Sequence, residues 1–321
     1  MMTKHVSPEN QTDENQSDMF RDDILSGLLK DQKAISSKWL YDDVGSHLFE
    51  AITELDAYYP TRTEISILAQ NARKYRRLPG ARGAMVELGS GSSRKTDLLL
   101  NAFPDLSVYM PIDISANHLK AAAERVRRAY PSLAVIPVAA DFTQPFGQLP
   151  LLPELPVLIF FPGSTIGNFE KTEAAALLSN IRSAMPEASL VIGVDRPKDA
   201  KVLQEAYDDP AGITAAFNQN LLQRINRELD GDFDLAAFAH KAIWNEVESR
   251  IEMHLESLVQ QQVSIAGETV AFAKGETIHT ENSHKYSEEA FEGIAREGGW
   301  QITDVDSDEN KWFSVYTLQA A

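Results

Sequence analysis

The sequence contains 321 residues, of which 43% are hydrophobic and 24% are charged, a balance typical of folded globular proteins. Its 47 acidic residues against 30 basic ones give a net charge of −17, which opposes binding to nucleic acid because the phosphate backbone carries the same sign. The lack of cysteine excludes disulfides, thiolate metal ligands and thiol nucleophiles. No apolar run approaches the roughly 20 residues that cross a bilayer, and no leader peptide is recognisable, so we expect a cytoplasmic protein with no membrane partner. We also expect a monomer.

The N-terminal part of the chain is predicted to be mostly helical. Residues 1–18 are polar and predict a disordered tail. The next segment, MFRDDILSGLLK, has the apolar spacing of an amphipathic helix, and KWLYDDVGSHLFEAITEL follows it. In the turn-prone stretch AYYPTRTE we expect Pro60 to end one segment and Thr63 to cap the next helix.

Short apolar runs separated by helical stretches begin near residue 84. The runs are AMVELG, LSVYMPIDIS, LAVIPVAADF, LPVLIFFPG and ASLVIGVD. Strands that alternate with helices in this way predict an α/β fold with a doubly wound, mostly parallel sheet covered on both faces.

The alternation stops after Asp195. Residues 199 to about 260 predict mainly helices, with FDLAAFAHKAIWN among them, and RIEMHLESLVQQQVSI and ETVAFAKGETIHTEN predict strands. The helical SEEAFEGIAREGG then precedes two strand-like runs. We interpret the chain as one α/β domain, residues 64–198 and 287–321, joined to an inserted α+β substrate-binding domain, residues 19–63 and 199–286.

A glycine-rich turn connects the first strand to its helix in MVELGSGSSRKT, residues 85–96. Glycine lets the backbone approach a ligand, and a helix N-terminus supplies N–H groups. A dinucleotide site favours a third glycine where Arg94 stands. The acidic residue before the turn, Glu87, is typical of a different ligand, S-adenosylmethionine, which carries an amino group and a sulfonium and no phosphate.

Two further acids favour S-adenosylmethionine. Asp113 ends the second strand, where it can accept both ribose hydroxyls, and Asp141, followed by Phe142, ends the third, near the expected adenine amine. The order of elements resembles that of S-adenosylmethionine-dependent methyltransferases, which have a Rossmann-like fold. The alternative is that both acids merely end strands or cap helices.

Several motifs carry a more specific resemblance. They are YYPTRTE, ELGSGSSRKT, FFPGSTIGNF, AYDDPAGITAAFNQN, RELDGDFD, RIEM and TENSHKY. From about residue 20 to its end, the chain resembles the histidine Nα-methyltransferases of ergothioneine biosynthesis. The resemblance implies transfer of three methyl groups from S-adenosylmethionine to the α-amine of free L-histidine, which gives N,N,N-trimethylhistidine, or hercynine.

The resemblance also implies roles for individual residues. It assigns the methyl donor to Gly89, Lys95, Asp113, Asp141 and Phe142. It assigns the substrate histidine to Tyr58, Asn168, Tyr207, Met253, Glu281, Asn282 and Ser283. Hydroxyls of Tyr58 and Tyr207 can donate to the substrate carboxylate, and Asn168 can offer its carbonyl to the amine. Tyr41 is a candidate for ordering a water that takes the amine proton, so Tyr41 and Asn168 are the predicted catalytic residues.

The segment HTENSHKY, residues 279–286, concentrates polar side chains in a predicted strand. Alternate residues of a strand share a face, so Glu281 and Ser283 point the same way. The carboxylate can accept one imidazole N–H while the hydroxyl contacts the other nitrogen. A metal site would need His279, Glu281 and His284 together, which a strand does not allow, so we predict no metal. A solvated loop without function is the alternative interpretation.

The product would be a fixed cation, which aromatic walls such as Phe49 or Tyr58 can accommodate through cation–π contacts. Three other functions stay open. One is a methyltransferase of the same fold that acts on another aromatic amino acid or a tryptophan derivative. Another is a non-catalytic module that binds S-adenosylmethionine or an amino acid. The third is a nicotinamide-dependent dehydrogenase, which Arg94 disfavours.

Overall fold

A computed structural model describes residues 8–80, 82–91, 94–144, 146 and 155–321. The chain divides into two compact units. The large unit contains residues 41–207, 244–251 and 282–321, and the small unit contains the chain up to Leu40 with residues 208–243 and 252–281. The predicted domain ranges differ from these units at 41–63, 199–207, 244–251 and 282–286, all of which belong to the large unit. Within the described residues, no helix combines the length and the apolar character needed to span a membrane.

The helices are, in chain order, α1 (Pro8–Leu28), α2 (Asp43–Thr53), α3 (Tyr59–Tyr75), α4 (Arg94–Ala102), α5 (Ala116–Ala129), α6 (Lys171–Ala184), α7 (Ala200–Tyr207), α8 (Ile213–Glu228) and α9 (Glu288–Glu297). The strands are β1 (Ala84–Leu88), β2 (Val108–Asp113), β3 (Ala134–Val135), β4 (Val138–Ala139), β5 (Val157–Phe161), β6 (Ser189–Asp195), β7 (Phe238–Asn245), β8 (Arg250–Ser257), β9 (Gln261–Ile265), β10 (Glu268–Phe272), β11 (Thr277–His284), β12 (Trp300–Ser307) and β13 (Phe313–Ala320).

The large unit is built on one sheet with the strand order β12-β13-β6-β5-β1-β2-β3, in which β4 also pairs with β2. β1, β2, β5 and β6 run parallel, whereas β13 is antiparallel to β6 and β12. This confirms the predicted doubly wound, mostly parallel fold class. The carboxyl ends of the parallel strands meet at one edge of the sheet, where such folds bind ligands.

Two apolar cores cover the faces of this sheet. Ile159 and Phe161 of β5 pack into the core that includes α6 and α9, whereas Leu158 and Phe160 pack into the core that includes α3, α4 and α5. Because both faces are covered, the central strands are apolar at nearly every position.

Proline changes two predicted boundaries. The predicted third strand, LAVIPVAADF, is broken into β3 and β4 because Pro137 has no N–H to donate to a ladder. Pro60 lies in the first turn of α3, where proline is favoured, instead of ending a segment. Thr63 therefore stands inside α3 and donates its hydroxyl to the Tyr59 carbonyl at 2.8 Å, so it is not a cap.

Two further predictions were wrong in their local structure. Residues 8–18 form the start of α1 and not a disordered tail, since proline at the first turn and acidic residues near the N-terminus favour a helix. Residues 1–7 of that prediction lie outside the described residues. The segment FDLAAFAHKAIWN forms a short 3-10 turn followed by β7, where pairing with β8 overrides its helical spacing.

The small unit packs α1 and α8 with the hairpin β9–β10 and most of the three-stranded sheet β11-β8-β7. The Arg224 guanidinium of α8 stacks on the rings of Phe20 and Trp39, 4.6 Å and 5.3 Å from their centroids. Arg224 also donates to the Trp39 carbonyl at 2.9 Å, which fixes α8 against the N-terminal segment.

Candidate active site

The glycine-rich turn follows β1 at the carboxyl edge of the sheet. Gly89 has a φ of +69° and Gly91 of +39°, a region that side-chain-bearing residues rarely adopt. A Cβ placed on Gly89 would lie 3.8 Å from the Phe142 ring. The turn thus brings together two of the predicted donor-binding residues, Gly89 and Phe142.

Asp113 ends β2 beside this turn. Its Oδ1 accepts from the Ser115 N–H at 2.9 Å, and its Oδ2 accepts from the Gly91 N–H at 3.4 Å. Burial raises the pKa of Asp113, although these N–H donors and His118 oppose the increase. The carboxylate therefore lies against the glycine turn, as its sequence position predicts.

Glu87 occupies a different environment from the one its motif suggests. It is 1% exposed, its Oε2 accepts from the Tyr109 hydroxyl at 2.5 Å, and the Thr96 hydroxyl lies 2.7 Å from the same oxygen. Burial raises the pKa of Glu87 to about 7 despite these hydrogen bonds. Glu87 therefore ties α4 and β2 to β1 inside the protein.

Lys95, at the start of α4, forms an ion pair with Glu64 of α3 at 2.7 Å. The Glu64 side chain is fully buried and also accepts from the Gly163 N–H at 2.9 Å and 3.1 Å. A Cβ on Gly193 would lie 2.1 Å from Glu64 Oε1, so a larger residue there would displace the Glu64 carboxylate. Glu64 was not predicted as a site residue, although it ends the YYPTRTE motif, and it holds both Lys95 and the loop after β5.

Asp141 and Phe142 follow β4 at the same edge of the sheet. Asp141 Oδ1 accepts from the backbone N–H of Thr143 at 2.9 Å and from its hydroxyl at 2.5 Å. The Phe142 ring packs edge-on against Phe161, with centroids 5.6 Å apart. Local contacts therefore hold the two residues predicted on the adenine side of the donor.

Asn168 ends a 3-10 turn in the loop that follows β5. Ser164 opens this turn with a φ of +59°, and its hydroxyl accepts from the Asp195 N–H at 2.9 Å. A Cβ on Gly167 would lie 2.8 Å from the His284 carbonyl oxygen, so the backbone of the turn packs tightly on the end of β11. Asn168 is thereby fixed beside β11 and is partly exposed.

A row of aromatic side chains joins three of the predicted substrate-side tyrosines. The rings of Tyr41 and Phe49 lie 5.5 Å apart, those of Phe49 and Tyr58 6.2 Å apart, and those of Tyr58 and Tyr207 5.9 Å apart. Each contact is edge to face, the arrangement that aromatic quadrupoles favour. Segments far apart in sequence therefore place Tyr41, Tyr58 and Tyr207 in one continuous wall.

Ser283 is bound to the end of this wall. Its hydroxyl lies 2.7 Å from the Tyr207 hydroxyl, and Lys285 donates to both oxygens, at 2.7 Å to Ser283 and 2.9 Å to Tyr207. The Ser283, Tyr207 and Lys285 side chains are all buried. The structure thus brings together the predicted residues Tyr207 and Ser283 and adds Lys285 to them.

A buried carboxylate anchors this group. Asp195, at the end of β6, pairs with Lys285 at 2.9 Å and with Lys198 at 2.5 Å, and it accepts from the Tyr59 hydroxyl at 2.6 Å. Burial pushes the pKa of Asp195 upward, but the two ammonium groups outweigh it and hold the pKa below its usual value. None of these charged residues was predicted, because only the fold brings β6, α3 and the end of β11 together. For Lys285 a signal existed, since it has the same strand parity as Ser283.

The opposite side of β11 makes different contacts. Asn282 donates its side-chain N–H to Glu170 Oε1 at 3.1 Å, and His284 Nε2 lies 3.8 Å from Glu170 Oε2. Asn282 and His284 thus share one partner, while Ser283 faces Tyr207. The predicted alternation of β11 is present, and it directs Asn282 away from the Ser283 side.

Met253 and Glu281 belong to the small unit. Met253 is 2% exposed and Glu281 is 9% exposed. The Thr280 hydroxyl donates to the Met253 carbonyl at 3.0 Å, which ties β8 to β11 at this level. Glu281 stands two residues before Ser283 in the continuous strand β11.

One group of possible metal ligands occurs among the described residues, and it comprises Glu252, His254 and His279. It differs from the set considered from the sequence. The His254 and His279 rings stack with centroids 4.6 Å apart and an interplanar angle of 19°. An imidazole nitrogen binds a metal in the plane of its ring, so two stacked, nearly parallel rings must rotate before both can reach one ion.

The sequence is similar to those of several known proteins. A family model described as histidine-specific, S-adenosylmethionine-dependent methyltransferase matches residues 20–320. The histidine N-alpha-methyltransferase of Mycolicibacterium smegmatis is 41% identical over 89% of this chain and 90% of that protein. The histidine N-alpha-methyltransferase of Mycobacterium tuberculosis is 43% identical over 84% of this chain and 85% of that protein.

A more distant relative is the ergothioneine biosynthesis protein 1 of Schizosaccharomyces pombe, which is 26% identical over 88% of this chain and 38% of that longer protein. The family model includes both the glycine turn and β11, and each of the two mycobacterial relatives matches more than four fifths of the chain. The chain therefore belongs to the family of histidine-specific, S-adenosylmethionine-dependent methyltransferases.

Proposed function

We propose that the protein transfers methyl groups from S-adenosylmethionine to the α-amine of free L-histidine and yields trimethylhistidine (hercynine) for ergothioneine biosynthesis. The observation that carries the proposal is the buried hydroxyl of Ser283, which Tyr207 and Lys285 hold in a chain of this family. A fixed polar group of this kind is what recognition of a ring nitrogen needs. The proposal includes a monomeric, cytoplasmic enzyme that uses no metal.

The methyl donor is assigned to the glycine-turn edge of the large unit. Asp113 accepts the ribose hydroxyls, the backbone of Gly89 approaches the ligand, and Phe142 with Asp141 contacts the adenine. Support comes from the position of Asp113 against Gly91 and of Phe142 against Gly89. Lys95 is held for this role by Glu64.

Histidine recognition is assigned to β11. Glu281 accepts one imidazole N–H and Ser283 contacts the other ring nitrogen. A pocket built in this way rejects phenylalanine or leucine, because either side chain would leave a buried carboxylate without its hydrogen-bond donor. Met253 supplies an adaptable apolar wall, as methionine does where a pocket is irregular.

The amino acid end of the substrate is assigned to the aromatic row and the loop after β5. The Tyr58 hydroxyl donates to the carboxylate, and Asn168 accepts from the amine with its side-chain carbonyl. Tyr207, predicted to donate to the carboxylate as well, has its hydroxyl 2.7 Å from Ser283 Oγ, so it can serve the carboxylate only when Ser283 is the donor of that contact. Asn282, also assigned to the substrate, lies between Glu281 and Ser283 in the strand, and its side-chain N–H donates to Glu170 Oε1.

Methyl transfer is an in-line displacement, in which the amine lone pair forms the new N–C bond while the methyl–sulfur bond breaks and sulfur keeps its electron pair. The amine must therefore be unprotonated and close to the methyl carbon, and such positioning can supply ~7–11 kcal/mol of the barrier reduction. Tyr41 orders the water that removes the amine proton. Phe49 and Tyr58 provide the aromatic faces that tolerate the growing positive charge.

The test is incubation of purified protein with S-adenosylmethionine and L-histidine, followed by mass spectrometry of the amino acid. We expect trimethylated histidine with S-adenosylhomocysteine formed in proportion. A protein that binds the donor but gives no methylated histidine would refute the proposal. Donor consumption that does not depend on histidine would equally rule it out.

A further inference from the structure

Lys285 is the last charged residue of the HTENSHKY segment, and its ammonium group has three acceptors. The side chain is 0% exposed and contacts Asp195 Oδ2 at 2.9 Å, the Tyr207 hydroxyl at 2.9 Å and Ser283 Oγ at 2.7 Å. An ammonium group carries three N–H donors, so these contacts use all of them. Lys285 thus connects the anchored carboxylate to both hydroxyls.

The contact with Lys285 restricts what Ser283 can do. A serine hydroxyl has one hydrogen and two lone pairs, and one lone pair accepts from Lys285. Either hydroxyl can be the donor across the 2.7 Å contact between Tyr207 and Ser283, and with Tyr207 assigned as the donor the second lone pair of Ser283 is also used. Ser283 can then act toward a ligand only as a donor. A neutral imidazole offers a nitrogen that accepts from it, whereas an imidazolium has N–H groups at both nitrogens.

Charge acts in the same direction. The Lys285 ammonium group lies 2.7 Å from Ser283 Oγ, whereas Lys198 contacts Asp195, the Tyr59 hydroxyl and the Arg196 carbonyl. Burial lowers the pKa of Lys198 to about 8, so it stays charged at neutral and acidic pH. A positively charged ligand ring at Ser283 would be repelled by Lys285, and this repulsion opposes the attraction between the ring and the Glu281 carboxylate.

Other titratable groups surround the Lys285 ammonium group and the Ser283 hydroxyl. Those that contact it are Asp195, Lys198, Tyr59 and Tyr207. His284 and Glu170 lie on the opposite side of β11, where burial lowers the pKa of His284. Glu281 precedes Ser283 on the same strand. Any pH experiment must therefore separate titration of the ligand ring from titration of these protein groups.

We infer that Lys285 is a specificity-determining positioning residue, which makes the Ser283 end of the pocket a donor-only, positively charged contact and so selects L-histidine with a neutral imidazole over the imidazolium form. This inference rests on the proposed function. Glu281 accepts the single N–H of the neutral ring, and the discrimination is made at the other nitrogen.

The test compares two ligands by calorimetry with S-adenosylhomocysteine bound to the full-length protein. The ligands are L-histidine and 1,2,4-triazolylalanine, an isostere whose ring stays unprotonated across the range used. Between pH 7.5 and 5.5 the neutral fraction of a ring with a pKa of ~6.5 falls about tenfold. We expect the affinity ratio of histidine to triazolylalanine to fall about tenfold in the wild type, because protein groups and the shared α-amine affect both ligands alike.

Two variants locate the effect. In Lys285→Met the Ser283 hydroxyl can again accept an N–H and the nearby positive charge is removed, so the ratio should change about threefold or less. Lys198→Met is the matched control, since Lys198 pairs with the same Asp195 but donates otherwise to Tyr59 and the Arg196 carbonyl. We expect it to keep the tenfold change. Lys285→Gln serves as a second uncharged variant, and unchanged affinity for S-adenosylhomocysteine shows that each variant is folded.

The inference would be overturned if, in the wild type, the ratio of histidine affinity to triazolylalanine affinity stayed constant or rose toward pH 5.5, whatever the variants do. An equal tenfold change in wild type and Lys285→Met would also overturn it. Either result leaves the proposed function intact if the wild type still forms trimethylhistidine. Failure of histidine to bind or react at pH 7.5 would instead refute the proposed function.

Discussion

Buried carboxylates at two places on the same sheet edge behave in opposite ways. On the glycine-turn side, Glu87 and Asp113 have raised pKa values, because burial outweighs the hydroxyl and backbone donors that hold them. On the β6 side, Asp195 is as buried as Glu87, yet two ammonium groups lower its pKa. Burial alone therefore does not decide the charge state of an acid in this protein. The nearest full charges decide it.

The largest effect is expected at Asp195. In Asp195→Asn the two buried ammonium groups lose their counter-charge, and breaking a buried pair costs about 3–5 kcal/mol of the free energy of unfolding. Urea unfolding of the two proteins measures it. Glu170→Gln is the control, since Glu170 is exposed and pairs with Arg250, so it should cost less than about 1 kcal/mol. If both variants lost the same small amount of unfolding free energy, Asp195 would not be what holds Lys198 and Lys285 in place.

Glu281→Ala should weaken L-histidine binding by about 100-fold or more, because the imidazole N–H then has no buried carboxylate to donate to. Donor binding should stay unchanged. Calorimetry with each ligand gives both values, and Glu268→Ala, an exposed acid of β10, controls for loss of negative charge. Unchanged histidine affinity would remove Glu281 from the pocket.

The raised pKa of Glu87 can be tested through the pH dependence of stability. Its raised pKa means that the folded protein binds a proton that the unfolded chain releases above its ordinary pKa of ~4.5, so stability falls as the pH rises toward 7. Glu87→Gln cannot titrate. Relative to this variant, the wild type should lose about 2 kcal/mol of unfolding free energy between pH 5.5 and 7.5. A constant difference across this range would show that Glu87 is ionised throughout.

The smallest effect is expected at Asp113. Asp113→Asn should weaken S-adenosylmethionine binding by about tenfold, since the amide replaces a charged acceptor of the ribose hydroxyls. Asp105→Asn, which changes an exposed acid, is the matched control and should bind the donor normally. A variant that loses affinity for histidine but keeps its affinity for S-adenosylmethionine would contradict the assignment of Asp113 to the donor site.

The sequence predicted those parts of the molecule that depend on local pattern. The alternation of apolar runs predicted the parallel sheet. The glycine turn marked Gly89, and the end of the second apolar run marked Asp113. Strand parity separated Ser283 from Asn282 and His284. These features are set by neighbours within a few residues. Boundaries failed where one proline changed the outcome, as at Pro137, or where pairing overrode helical spacing, as in β7.

The charged anchor of the site could not be predicted in the same way. Asp195 ends a strand like many acids, and its role arises only when Lys198 and Lys285 meet it in the folded chain. Glu64 is comparable, because its partners Lys95 and Gly163 come from helix α4 and from the loop after β5. A single sequence contains no local signal for such contacts, whereas the same parity argument that selected Ser283 extends to Lys285.

We propose that β11 recognises the imidazole ring of the substrate. The most direct measurement offers the wild-type protein equal amounts of L-histidine, L-tryptophan and L-phenylalanine with limiting S-adenosylmethionine and resolves the products by mass. We expect trimethylated histidine and no methylated tryptophan or phenylalanine. Methylated tryptophan as the main product, or comparable methylation of all three, would contradict it.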